Sequence, residues 1–123
     1  MRVVNIINQT RPLSLPLVAD YCESFLCKLR GLSFRLHLPA ARGLVLVDKA
    51  ESRVNAAVHM VGMNFDLGIV WLDRDLVVVD LGLARRWRSF LAPSEPAQYV
   101  IEFAALRLQE FAPGDQIAFE EIS

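Results

Sequence analysis

The chain has 123 residues, 54% of them apolar, and its 13 Lys and Arg against 14 Asp and Glu leave a formal net charge of −1. A chain of this length buries roughly two-thirds of the surface it exposes when unfolded, so one core suffices without a metal or disulfide staple. Charge balance excludes recruitment of a polyanion by the molecule as a whole, so any anion site has to be local; the apolar excess points to strands buried on both faces or to a homodimer.

Arg2 to Asn8 alternates weakly and carries the pairs Val3-Val4 and Ile6-Ile7, which predicts a first strand. Asn5 and Asn8 interrupt the apolar run and no small-residue cleavage site follows, so the segment does not resemble a signal peptide, and no run in the chain approaches the ~18 apolar residues of a bilayer-spanning helix. The expectation is a soluble, cytoplasmic protein without membrane contacts. Leu15 to Cys22 is a second strand candidate. Cys22 and Cys27 match neither a Cys-x-x-Cys redox pair nor the paired spacings of a zinc ribbon, and are expected to be reduced, partly buried thiols.

From Ser24 the pattern changes. Ser24 can cap a helix, Phe25, Leu29 and Leu32 fall at helical spacing, and Gly31 stands where helices commonly end, which predicts about two turns. Gly43 to Asp48, Val54 to Val61, Leu67 to Leu72 and Leu76 to Leu81 are four further strand candidates, with short connectors suited to antiparallel hairpins. Leu83 to Pro96, which holds Arg85, Arg86, Trp87, Arg88 and two prolines, is the longest irregular stretch. Tyr99 to Phe103 resumes as strand, Ala104 to Phe111 predicts a short helix with Leu108 and Phe111 on one side, Pro113-Gly114 predicts a type II turn, and Gln116 to Glu121 a last strand.

In Val54 to Val61, period two sends Val54, Ala56, Val58 and Met60 to one face and Asn55, Ala57, His59 and Val61 to the other. His59 has no His or Cys at ligand spacing, since the only other histidine is His37, so no metal is expected, and the imidazole is read as a sheet-edge group bonded to backbone or a carboxylate. Met60 and Met63 are read as gap fillers and Asp73 and Asp75 as turn residues bonding local backbone. Asp66 could serve as a general base, but no nucleophile can be assigned to it from spacing.

Taken together, RGLSFR at Arg30 to Arg35, Met60 with the run ending Trp71-Leu72-Asp73, and Pro96-Ala97-x-Tyr99-Val100-Ile101-Glu102 leading to Pro113-Gly114-Asp115 resemble the domain of unknown function 192 family of small prokaryotic proteins, over about Ser24 to Phe119. Where members often carry Met-Lys-Asn-Thr and then Pro-Leu-Asp, this chain has Met60-Val61-Gly62-Met63 and Asp66-Leu67-Gly68, so the side chains that would suggest a shared centre are missing. The resemblance implies a compact α+β domain on antiparallel strands and brings no reaction, substrate or cofactor.

The expectation is therefore one α+β domain over residues 1 to 123, with a strongly curved or barrel-like antiparallel sheet, two short helices, and a core on Val45, Val47, Val58, Met60, Leu67, Ile69, Trp71, Val78, Val100, Ile101, Ile117 and Phe119. Functionally it is a small non-catalytic binding module. Lys28, Arg30, Arg35 and Arg42 form a run without a carboxylate, and Arg85, Arg86 and Arg88 surround Trp87; brought together they would hold a small anionic ligand against an aromatic wall, but such local charge runs on a neutral protein favour the plainer reading of two solvated loops whose long side chains cover apolar surface. The alternative is a cofactor-free enzyme with His59 or Asp66 as base and an arginine holding an anionic substrate. Charge balance argues against nucleic acid as the partner of ARRWRSF. Glu102 is the carboxylate of most interest, because it ends an apolar strand and could pair with Arg35 or Arg30; buried unpaired it would cost several kcal/mol.

Overall fold

The computed structural model describes residues 2–24, 27–28, 31–32, 35–87 and 90–122. Among the described residues there are nine strands: β1 (Arg2–Asn8), β2 (Val18–Cys22), β3 (Arg42–Ser52), β4 (Val58–His59), β5 (Leu67–Leu72), β6 (Val78–Ala84), β7 (Phe90–Leu91), β8 (Ala97–Ala104) and β9 (Ile117–Glu121). Seven of them form one sheet in the order β6-β5-β8-β3-β2-β1-β9, and β4 and β7 make a separate two-stranded ribbon. The sheet curls until its two edges meet at one end. There Val77 bridges Gln116, the Val78 amide donates to the Asp115 carbonyl at 2.9 Å, and the Ile117 amide donates to the Leu76 carbonyl at 2.9 Å. The result is a half-barrel with very little helix.

Every pairing is antiparallel except β2 with β3, which run parallel. A parallel neighbour requires the chain to cross back over the sheet, and residues 23–41 make that crossing. Of the hairpins expected between Gly43 and Leu81 only β5–β6 forms, because β8 lies between β3 and β5 and β4 pairs with β7. Within the crossing the Cys27 amide donates to Ser24 Oγ at 3.1 Å, the Gly31 amide donates to the Cys27 carbonyl at 2.9 Å, and Gly31 has φ +51°, so the capping serine and the terminating glycine act as their types predict. Phe25, Leu29 and Arg30 lie outside the described residues.

The curl separates two cores. Val4, Ile6, Ala19, Val45, Val70, Val78, Ile101 and Ile117 line the inside of the half-barrel. Leu44, Ile69, Trp71 and Val100 face its outside, where Leu32, Ala56, Val58, Met60 and Met63 cover them. β5 is consequently buried along its whole length, the first of the two ways, both-faces burial or a dimer, in which the apolar excess could be hidden. Of the twelve expected core residues all are buried except Val47 and Phe119, which are half-buried at the rim beside Tyr99.

Three local expectations are corrected. Strand character from Val54 fails because β3 runs on to Ser52 and residues 53–57 turn, with the Ala57 amide on the Val54 carbonyl; only Val58 and His59 pair. The helix expected over Ala104 to Phe111 is a 3₁₀ helix, Ala105–Glu110, in which three residues per turn align Ala105, Leu108 and Phe111. Cys22 and Cys27 are not thiols but a disulfide, with their Cα atoms 5.7 Å apart, because the end of β2 and the capped turn at Ser24 bring the two residues face to face. Closing so short a loop constrains the unfolded chain by about 2 kcal/mol in the chain-entropy model, so dithiothreitol is expected to lower the melting temperature by several degrees and Cys22→Ala/Cys27→Ala to abolish that sensitivity.

Candidate functional site

The exposed cation and aromatic cluster lies where β6 ends. After Ala84 the chain turns, and the turn is fastened twice: the Arg86 amide donates to Asp66 Oδ1 at 2.9 Å, and the Trp87 amide donates to the Met60 carbonyl at 3.2 Å. Asp66, Arg85, Arg86 and Trp87 line a cleft of about 410 Å³. The Arg86 guanidinium comes within 4.0 Å of Asp66 but stays 65% exposed, so this surface pair is worth little energetically and leaves most of the fork open to solvent.

Trp87 has φ +62°, a left-handed conformation that is unfavourable for a bulky side chain, and remains 56% exposed. Leu76 shares the conformation at φ +63°, yet its side chain packs into the inner core. The fold recovers the cost at Leu76 through burial; at Trp87 it holds an indole out in water.

The other nominated residues separate. Lys28 pairs with Asp48 at 2.9 Å and Arg42 reaches Asp20 at 3.7 Å, so carboxylates distant in sequence neutralise half of the Lys28–Arg42 basic run. Arg35 is exposed, and its carbonyl accepts from Asn64 Nδ2 at 2.6 Å; Arg30 and Arg88 lie outside the described residues. His59 is exposed on β4 and makes no hydrogen bond with a described residue, contrary to the expected backbone or carboxylate partner. It lines a second cleft, of about 720 Å³, with Lys28, Asp48, Lys49 and Glu51. In that larger cleft Lys28 and Asp48 pair with each other, and Glu51 meets Arg74 outside it at 3.5 Å. His59 and Asp66, the two candidate bases, therefore face different clefts. Among the described residues no three His, Cys, Asp or Glu side chains converge as metal ligands.

Glu102 is 5% exposed on the outer face of β8, between Leu44 of β3 and Ile69 of β5. It forms no ion pair or hydrogen bond with a described residue, so the expected pairing with Arg35 does not occur. Burial pushes its carboxyl up to about 7.

Two buried polar centres escaped the sequence. Arg107, fully buried, donates to the carbonyls of Leu15, Pro16 and Ala40 at 2.6, 3.0 and 2.9 Å and to both Glu110 oxygens. Asp115 accepts from Asn8 Nδ2 at 2.8 Å, from the Ala112 amide at 2.9 Å and from the Arg11 guanidinium in a bidentate pair. Burial alone would raise the Asp115 carboxyl, and these donors outweigh it and hold it below its ordinary value. Both centres tie loops to the barrel end.

The model of the family DUF192, described as an uncharacterized ACR, matches residues 2–119. A UPF0127 protein of Thermococcus kodakarensis is 36% identical over 116 residues, 93% of this chain and 72% of that one. Another, from Thermococcus gammatolerans, is 35% identical over 94% of this chain and 74% of its own length. Among solved structures, a Sinorhizobium meliloti protein named as a candidate transcription regulator superposes with a TM-score of 0.82 at 17% identity, over 96% of this chain and 92% of its own. A Novosphingobium aromaticivorans protein of unknown function does so with a TM-score of 0.73 at 20% identity, over 96% and 84%. At these identities the two structures establish the fold alone. No helix among the described residues is long and apolar enough to cross a membrane.

Proposed function

We propose, for a chain that belongs to the DUF192 family of uncharacterised proteins, that it works as a single-domain, non-catalytic binding module whose site is the cleft of Asp66, Arg85, Arg86 and Trp87. The observation that carries this reading is the pairing of an exposed indole, held at an unfavourable φ, with an exposed guanidinium in one concave place. A guanidinium presents a planar fork to carboxylate or phosphate oxygens, and an indole face takes a flat or apolar group beside it, so the ligand is a small anion with a planar body. Asp66 positions rather than reacts, because its Oδ1 is already engaged by the Arg86 amide.

The two tryptophans make the test direct. Trp71 is 1% exposed with its Nε1 on the Ala56 carbonyl at 2.8 Å, whereas Trp87 is open to solvent. Acrylamide is expected to quench only the Trp87 part of the emission, and a bound anion to protect it. A thermal-shift screen of nucleotides, phosphates and carboxylates should yield a ligand whose stabilisation is lost in Arg86→Ala and Trp87→Ala. A screen whose hits act equally on both variants would move the site elsewhere.

A cytoplasmic location is the part of this reading that the Cys22–Cys27 bridge opposes, and the bridge gives its check. Disulfides seldom persist against a reducing thiol pool, so alkylation at lysis should trap both cysteines if the protein resides there.

A further inference from the structure

We infer that the outer face of the β4–β7 ribbon, continued by Trp87, docks an acidic segment of another protein that carries large apolar side chains. This deepens the binding-module reading and rests on it. Val61, Trp87 and Phe90 are 62%, 56% and 72% exposed, an unusual group of large apolar side chains to leave in water. Backbone pairing brings their segments together. His59 and Phe90 are directly opposed in the ladder, so their side chains leave the same face side by side, and the Trp87 amide is bonded to the carbonyl of Met60, which immediately precedes Val61. The underside of the ribbon, Val58 and Leu91, packs on the outer core, which fixes the orientation of the exposed side.

The surroundings select the partner. Arg85 and Arg86 adjoin Trp87 on the surface, and aromatic residues beside arginine are the usual composition of an interface centre. A second copy of the chain is disfavoured, because a two-fold contact through this patch would set the two Arg86 guanidinia, each already shared with its own Asp66, near one another. Unpaired nucleic acid fits badly too, since Val61 offers a base neither a stacking plane nor a hydrogen bond and the chain carries no net positive charge. Strand addition is excluded by length: β4 and β7 have two residues each, so recognition falls to side chains.

The test is fluorescence polarisation with a fluorescein-labelled twelve-residue peptide, Glu-Phe-Asp-Leu three times over. Its lysine-for-acid counterpart and a twenty-residue oligo(dT) serve as competing probes. The acidic peptide should bind, weaken as salt rises, and lose at least about tenfold in affinity with either Phe90→Ser or Arg86→Glu, the scale of one interface anchor. Phe90 is exposed, so its variant should melt with the parent and report binding rather than folding. Equal binding of the lysine peptide, preference for oligo(dT), or a concentration-dependent dimer abolished by Phe90→Ser would each overturn the inference. If the peptide does not bind while a small anion still protects Trp87, docking is lost and the anion cleft stands. Peptide binding untouched by Arg86→Glu would remove the cleft reading as well.

Discussion

Glu102→Gln raises the melting temperature at pH 8 and leaves it nearly unchanged at pH 4. The buried carboxyl holds its proton up to about 7, while the unfolded chain releases it near the ordinary 4.5. Between those values the folded form binds more protons than the unfolded one, so stability falls as pH rises; the penalty is absent below 4.5 and complete above about 7. A tenfold difference in proton affinity between the folded and unfolded carboxyl corresponds to roughly 1.4 kcal/mol, which makes the penalty on the order of 3 kcal/mol and the expected gain in melting temperature on the order of 10 °C. Glutamine mimics the protonated acid, so its stability profile should be flat across the window. The measurement is a series of calorimetric melts from pH 4 to 9 on both proteins. Parallel curves would mean that the carboxylate is charged and paired in solution, against its lack of a partner among the described residues between Leu44 and Ile69.

Arg107→Met is expected to cost about 3–5 kcal/mol, because it leaves three loop carbonyls without their guanidinium donor and Glu110 with the Ser14 amide alone. The pH profile distinguishes this from simple loss of packing. The Arg107 guanidinium is the main cause that pulls the Glu110 carboxyl down to about 2, with the Ser14 amide also donating to it. A lowered acid contributes stability that is complete above the unfolded 4.5 and is lost as pH falls toward 2. The parent should therefore weaken along this acid limb, and in the variant the limb should be much reduced. Urea melts at pH 2.5, 4 and 7 would show it; an unchanged acid limb would locate the acid sensitivity at Asp115 instead.

What the sequence made legible was local or repetitive. The apolar Leu67–Leu72 run announced a strand with Leu67, Ile69 and Trp71 in the core, although not the burial of its other face, Pro113-Gly114 a turn with Gly114 at φ +90° closed by the Asp115 amide on the Ala112 carbonyl, and Asp73 a turn acid, which accepts from the Asp75 and Val77 amides. The cluster at Trp87 was visible because aromatic and basic residues adjoin in the chain. Partners distant in sequence were not visible. Asn8 and Asp115 are 107 positions apart, and nothing in either neighbourhood names the other. Arg107 was hidden by its own context, because between Leu106 and Leu108 a helical period of 3.6 gives no reason to bury it, whereas the tighter 3₁₀ turn leaves Leu106 outside. The disulfide was missed for a related reason: sequence spacing says nothing about the Cα separation that decides whether two sulfurs can meet.

The first strand of the sheet lies between the second and the last, with Val4 opposite Glu121 and Asn8 opposite Ile117. A nascent chain emerging from a ribosome can pair β1 with β2 early, but it cannot finish the half-barrel until residues 117–121 are free of the exit tunnel. Throughout synthesis Ile6 and its apolar neighbours stand along an open strand edge, the condition under which polypeptides adhere to one another. Assembly is therefore governed by the strand synthesised last of the seven, and the interval before it arrives is when a holdase would find the chain.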